Sequence, residues 1–285
     1  MPIKLIIKSR EKDLGGFSVR RLLPHSDQTM VGPWIFFDHM GPADFSAGTG
    51  IDVRPHPHVN LATVTYLFEG EVLHRDSLGS VQAIRPGDIN LMVAGKGITH
   101  SERETEQVRN RDHRLHGLQL WLALPEAHEE NEPAFHHYPN AAIPALTVDE
   151  VPVRVLMGNA FGTTSPVLTY ADTLYIEAQL QPGQSLLLPE ATERALYVVS
   201  GAVRIGSVSV EQHDMAVLTE ERIRISATQD TRIALIGGEN PGERYILWNF
   251  VSSRRERIQQ AKADWQAGRF PKVPGDEQEF IPLPE

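Results

Sequence analysis

Two short segments pair side chains that bind metals: His56-Pro57-His58 and His100-Ser101-Glu102, each with one residue between its two donors. In an extended strand, residues two apart project to the same face, so each segment would aim both donors at one spot. Side by side, the two strands would bring together three imidazoles and one carboxylate. Such a set holds a divalent first-row metal with coordination positions left open, close to the facial two-histidine, one-carboxylate arrangement of non-haem Fe(II) oxygenases. A lone His-x-His is commonplace, and Pro57 alone could mark a strand edge. The second pair argues for a site. It follows the turn Arg85-Pro86-Gly87-Asp88 and the glycine-punctuated Ala94-Gly95-Lys96-Gly97, as an antiparallel barrel would require.

The elements that must position these donors read as strands. Ile3 to Lys8 forms a short strand, Asp13-Leu14-Gly15-Gly16 a turn, and Phe17 to Leu22 alternates again. Trp34-Ile35-Phe36-Phe37 is a core strand, and His39 after it reads as a hydrogen-bonded histidine at the strand end. From Val53 to Leu124 strands and turns follow one another with no helical stretch. Between Leu115 and Leu124, alternation puts His116 on the face of Leu118 and Leu120, and Gln119 on that of Trp121. One of these two polar groups enters the barrel, where it would need a partner or contact a metal-bound ligand; periodicity does not choose between them. His74 stands alone and reads as structural. Arg109 to Arg114 (with His113), Glu126 to Glu132 and His136-His137 read as solvated surface.

Near Asn140-Ala141-Ala142-Ile143-Pro144 the chain changes character, and the second half echoes the first. Tyr197-Val198-Val199-Ser200-Gly201 matches Tyr66-Leu67-Phe68-Glu69-Gly70. Counting from that match puts Leu187 and Pro189 in the places of His56 and His58, and Arg224-Ile225-Ser226 near His100-Ser101-Glu102. The expectation is a metal-binding barrel over 1–140 and a metal-free barrel over 141–285. After it, a helix capped by Ser252 or Ser253 should run to about Gly268, with Ile258, Ala261 and Trp265 on its apolar face.

Composition excludes several alternatives. A chain of 285 residues with formal charge −10 is poorly suited to binding phosphate backbones, so no direct nucleic-acid role is expected. With no cysteine, disulfides and thiolate chemistry are excluded, and a metal must be held by nitrogen and oxygen. Lys4, Lys8, Arg10 and Lys12 interrupt any leader-like apolar run, and no stretch is long and apolar enough to span a membrane. The expectation is a cytoplasmic protein.

These residues also carry a resemblance. Gly50, five residues, then His56-x-His58 is similar to the first cupin motif, and Pro86-Gly87-Asp88 leading to His100 to the second. The blocks Met30-Val31-Gly32-Pro33-Trp34-Ile35-Phe36-Phe37-Asp38-His39-Met40-Gly41-Pro42, His74-Arg75-Asp76-Ser77-Leu78-Gly79 and Leu115-His116-Gly117-Leu118-Gln119-Leu120-Trp121 resemble the pirin family of bicupins. One departure stands out. Many pirins follow the histidine pair with Arg-Gly-Phe-Glu, whereas here Val59-Asn60-Leu61-Ala62 follows and the acid is missing. The resemblance implies an all-β fold, two jelly-roll-like cupin barrels in tandem with a C-terminal α-helix. It implies His56, His58, His100 and Glu102 as ligands, with Glu102 also able to relay a proton. The metal would be Fe(II) first, with Mn, Ni, Cu or Zn also compatible with the donors. The implied activity is a quercetin 2,3-dioxygenase-like oxidoreductase that opens a flavonol-like, enolizable aromatic substrate with O₂ and releases carbon monoxide. Two other readings accompany it: a metal-dependent regulatory cofactor acting through protein contacts, and a metal-dependent sugar isomerase.

Overall fold

Alternating apolar residues and turn glycines make strands the main element of the computed structural model, which describes residues 2–13 and 17–284; Leu14 to Gly16 of the expected turn lie outside them. The α-helices among the described residues are a single turn, Glu106–Arg109, and the twelve-residue Arg255–Gln266. The first interrupts the stretch expected to be helix-free: Thr105 caps it by accepting the Val108 N–H, and Val108 is its buried residue.

The chain forms two compact β units, and neither is continuous in sequence. One comprises Met1–Glu11, Arg20–Asp38 and Ala141–Asn240; the other comprises Lys12–Val19, His39–Asn140 and Pro241–Glu285. The chain passes between the units at 140/141 and again near both ends, so each terminal segment joins the unit built mainly from the other half of the chain. Edge coverage gives the physical reason for the first exchange. Ile3–Lys8 pairs with Asp214–Leu218 at the border of a seven-stranded sheet, and Lys8 Nζ reaches Asp214 at 2.6 Å.

In the unit rich in the second half of the chain, a four-stranded sheet of Ser185–Leu187, Arg224–Ala227, Ala202–Ile205 and Val208–Glu211 accompanies the seven-stranded one. Its interior is apolar, with Leu186, Leu188 and Ile225 fully buried among Val198, Val203 and Leu235. The count from Tyr197 is therefore one residue off: Leu186 and Leu188 face inward, and Leu187 is only half-buried. A slip of one residue reverses which face a side chain takes.

In the other unit, Val53–His58, Ile98–Arg103, Val72–Asp76 and Val81–Ile84 form a four-stranded sheet in that order. Ala134–Tyr138, Ile89–Val93, Leu61–Glu69 and His113–Ala123 run adjacent in a larger one. Apolar packing of Val19, Met40, Phe45, Ile51, Leu67, Val72, Ile84 and Leu115 closes part of the interior. Gly50 has a physical reason here: a Cβ would stand 1.7 Å from Glu104 Oε2, whose carboxylate accepts from His113 Nε2 at 2.9 Å. His113, read as surface, is thus partly buried and hydrogen-bonded to Glu104.

The helix begins later than expected. Arg254 is its N-cap and makes no side-chain capping bond. Ser252 and Ser253 instead donate their hydroxyls to Glu129 at 3.1 and 2.9 Å. Glu129, on the connection expected to be solvated, is buried and pairs with buried Arg244 at 3.0 Å. Ile258 and Ala261 pack on Val59 and Phe250, as the periodicity predicts, with Trp265 partly buried beside them. Trp265 donates to the Ile281 carbonyl at 3.1 Å.

The tail then reaches the strands that carry the histidine pairs. The Ile281 N–H bonds to the Pro55 carbonyl at 2.8 Å. Arg103 grips Asp276 with two bonds of 2.8 Å and Glu279 with one of 2.7 Å, and it also pairs with Asp52. Replacing Arg103 by Leu should free the tail. Losing about 1 kcal/mol, fair for a partly exposed ion-pair network, raises its open population roughly fivefold. Limited proteolysis should then cut within 271–284 correspondingly faster, with the thermal midpoint of the barrel little changed.

Candidate metal centre

His56 and His58 occupy the strand Val53–His58, whose two-residue period turns both imidazoles to the barrel interior. Ile98–Arg103 pairs with it in antiparallel register, His100 opposite His56, and directly opposed residues share a face. The three rings therefore meet: centroids lie 5.1 Å apart for His56–His58, 4.3 Å for His56–His100 and 5.0 Å for His58–His100. One nitrogen of each lies within 4.8 Å of the other two.

The orientation of each ring is set by its other nitrogen. His56 Nδ1–H donates to the Arg54 carbonyl at 2.9 Å, and His58 Nδ1–H to the Asn249 carbonyl at 3.2 Å. A carbonyl only accepts, so in the neutral rings the free lone pair resides on Nε2. His100 Nδ1 lies 3.5 Å from His74 Nδ1, and His100 Nε2 is buried with no hydrogen-bond partner. An orphaned buried nitrogen is costly, and a cation among the three Nε2 atoms would satisfy it. Burial keeps these rings neutral: it lowers His56 from 6.5 to about 4 and pushes His58 and His100 well below the ordinary range. Neutral imidazole is the metal-binding form.

Glu102 stands apart from this set. A register shift between His100 and Glu102 places Glu102 opposite Val53 on one side and His74 on the other. Its carboxylate is not among the atoms that lie within 4.8 Å of one another. Burial alone pushes the group up from 4.5 to about 7, the behaviour of a carboxyl with no cation beside it. The donor chemistry nevertheless fits a divalent first-row metal: three convergent neutral imidazoles with a carboxyl two residues along the same strand.

The opposite wall comes from the larger sheet. Phe135, Met92, Thr63 and Trp121 lie in register across four strands. Trp121 meets His58 edge-on with centroids 4.9 Å apart, and Phe135 stacks on His74 at 4.3 Å. The next row along is polar: His137, Asn90, Thr65 and Gln119. Thr65 Oγ1 donates to Gln119 Oε1 at 2.8 Å, and His137 Nδ1 bonds Asn90 Oδ1 at 2.7 Å. The open choice between His116 and Gln119 is thereby resolved: Gln119 shares the face of Trp121, and His116 pairs with His39, their Nε2 atoms 2.7 Å apart. His39 is hydrogen-bonded as expected, although it lies within the strand Trp34–Phe45 rather than at its end. His137, read as surface, is partly buried, its ring held by Asn90. Ala62, where the resemblance leads to the expectation of an acid, is fully buried. Asn60 beside it adopts φ 59°, a conformation glycine or asparagine takes readily, and donates to Glu130 at 3.2 Å.

The Asn249 carbonyl and the Trp121 ring were not apparent as parts of the centre from the sequence. A backbone acceptor 191 residues from its histidine leaves no side-chain signal.

Comparison with known proteins supplies the relatives of this architecture. The family model described as Pirin matches residues 16–122, and that of the Pirin C-terminal cupin domain matches 175–271. A pirin-like protein of Caulobacter vibrioides is 47% identical over 99% of this chain and 100% of its own length. The crystal structure of a quercetin 2,3-dioxygenase from Acinetobacter baumannii superposes with a TM-score of 0.91 at 33% identity, covering 99% of this chain and 95% of that one. A bacterial pirin from Escherichia coli in complex with nickel(II) shares the fold, with a TM-score of 0.65 at 20% identity, covering 83% of this chain and 99% of that one.

Two outcomes follow from the geometry. His58→Ala and His100→Ala should each abolish stoichiometric metal, whereas replacing His213, which precedes the strand Asp214–Leu218 of the other unit, by Ala should leave it intact; elemental analysis of proteins purified without added metal decides this. The second concerns acid. Below pH 6.5 the unfolded chain protonates its histidines while folded His56 resists until about 4, so metal-free protein should lose stability as pH falls through that window, by on the order of 3 kcal/mol for this residue. Glu102 acts in the opposite sense: folded, it binds a proton below about 7, and unfolded only below 4.5. Metal-free Glu102→Gln should therefore show the steeper acid loss, read as the pH dependence of the denaturation midpoint.

Proposed function

The chain belongs to the pirin family, and from that premise we propose that its three-histidine barrel is a metal-dependent dioxygenase site for flavonol-like substrates. His56, His58 and His100 hold a divalent first-row metal through Nε2, and Glu102 completes the ligand set from the same strand as His100. Fe(II) is the ion that best suits three nitrogens and one carboxylate with positions left open. When bound, the metal supplies Lewis acidity for an enolizable hydroxyl and a place for dioxygen beside it.

The remaining roles belong to the chain's own side chains. The neutral imidazoles add no charge, so with one carboxylate a divalent site keeps a net positive charge suited to an enolate or phenolate. Trp121 and Phe135 supply flat apolar surface against which an aromatic ring packs. Glu102, the acid at the site in the absence of one at Ala62, takes the substrate hydroxyl proton: it lies two residues along the strand from His100, and an ionised carboxylate is a competent general base. The observation that carries this reading is the convergence of three oriented imidazoles, with His100 Nε2 buried and unpartnered. In support stands the close likeness to a quercetin 2,3-dioxygenase structure over nearly the whole chain.

The iron-loaded protein should consume O₂ with quercetin and release carbon monoxide. Glu102→Gln keeps a coordinating oxygen but cannot accept the proton, so it should retain most of its metal and lose about 10²-fold or more in turnover. An oxygen electrode and metal analysis on the same samples test this. A Glu102→Gln variant with full metal and full rate would remove Glu102 as the base. No O₂ uptake with any flavonol and any of iron, manganese, nickel or copper would leave the regulatory reading in place of the enzymatic one.

A further inference from the structure

We propose that His74 and Asp76 are positioning residues of this centre, joined to His100 in a hydrogen-bonded chain that presents His100 Nε2 to the metal. The inference rests on the metal site just described. His56 and His58 are each oriented by a backbone carbonyl, whereas His100 has a second imidazole in that place, with His74 Nδ1 3.5 Å from His100 Nδ1. The far side of that imidazole is fixed in turn: His74 Nε2 lies 2.9 Å from Asp76 Oδ2.

The donor directions follow from the partners. With His74 neutral, ionised Asp76, which only accepts, takes the Nε2–H and leaves the lone pair of His74 at Nδ1. His100 therefore donates Nδ1–H and keeps its lone pair on Nε2. The reverse arrangement has His74 Nδ1–H donating to His100. It would aim a lone pair at the Asp76 carboxylate and place an N–H on His100 Nε2, which has no acceptor; both are unfavourable in a buried site. An acceptor behind a ligand imidazole strengthens its coordinating nitrogen; here that acceptor is His74, itself backed by the Asp76 carboxylate, and coordination at Nε2 would make Nδ1–H a better donor to it.

The chain is rigidly held. Asp76 is fully buried, and its Oδ1 accepts the backbone N–H groups of Leu78 at 2.9 Å and Ser80 at 3.1 Å, so its carboxylate cannot swing away. His74 is stacked on Phe135 with rings 11° apart, and its strand is paired directly to that of His100. The lone histidine read as structural from the sequence thus stands one hydrogen bond behind a ligand.

The test uses zinc, which has no redox chemistry to confuse the readout. Zinc affinity is measured by competition with a chromophoric chelator for the full-length wild type, Asp76→Asn and His74→Phe, and the ring tautomer of His100 by long-range ¹H–¹⁵N correlation. Phe keeps the stack on Phe135 and deletes both hydrogen bonds, so it serves if Asp76→Asn, which also alters a turn, fails to fold. The expected result is His100 protonated at Nδ1 in the zinc-bound wild type, with zinc affinity about 10–100-fold weaker in the variants. Affinity within twofold of wild type in a folded variant would overturn the proposal. So would weakened affinity with His100 protonated at Nε2 in the wild type before zinc is added and bonded through Nδ1 afterwards. Wild-type protein that binds no zinc at all would remove the metal site and this inference together, a result distinct from loss of the chain alone.

Discussion

Three imidazoles crowded into a buried interior cannot all be protonated, and each must place its single N–H somewhere. That constraint governs the metal-bearing unit. Two of the N–H groups go to main-chain carbonyls, Arg54 on the same strand and Asn249 far along the chain; the third faces His74. With the Nδ1 positions committed, the Nε2 lone pairs are left pointing at a common space, and burial keeps them unprotonated. A metal site of this kind is less a set of four ligands than a set of acceptors behind them. The C-terminal segment belongs to the site for that reason: it supplies the Asn249 carbonyl, and its tail bonds to Pro55 and Arg103, next to His56 and Glu102 in sequence.

The two units show what the same fold does without such a constraint. Where one turns His56, His58 and His100 inward, the other turns Leu186, Leu188 and Ile225 inward, all tightly packed. The apolar interior is the ordinary solution for a β-sandwich core, and the imidazole interior survives because each ring nitrogen of the three histidines finds a partner or would find a cation.

What could be read from the sequence follows the range of each interaction. His56, His58 and His100 were legible because a two-residue period and a turn at Pro86-Gly87-Asp88 are local. The choice between Gln119 and His116 was not, since alternation assigns the two to opposite faces but does not say which face meets the histidines. Leu187 was assigned one place away from the inward position because counting from Tyr197 crosses turns whose length the pattern does not fix. The buried Glu129–Arg244 pair was hidden in an acidic stretch that composition marks as solvated, and its burial depends on Ser252 and Ser253 arriving from 123 or more residues away. The exchange of the chain ends, likewise, is a matter of which sheet edge each terminal segment covers, and neither segment announces it.

The account rests on where a bound metal sits and through which atoms. Anomalous diffraction at the metal edge, from crystals of protein loaded with one equivalent of a divalent first-row metal, measures this directly. The predicted result is a single peak bonded to Nε2 of His56, His58 and His100 at about 2.0–2.2 Å, with a Glu102 oxygen drawn in to the same ion. A peak elsewhere in the chain, or one bonded through Nδ1 of any of the three rings, would contradict it.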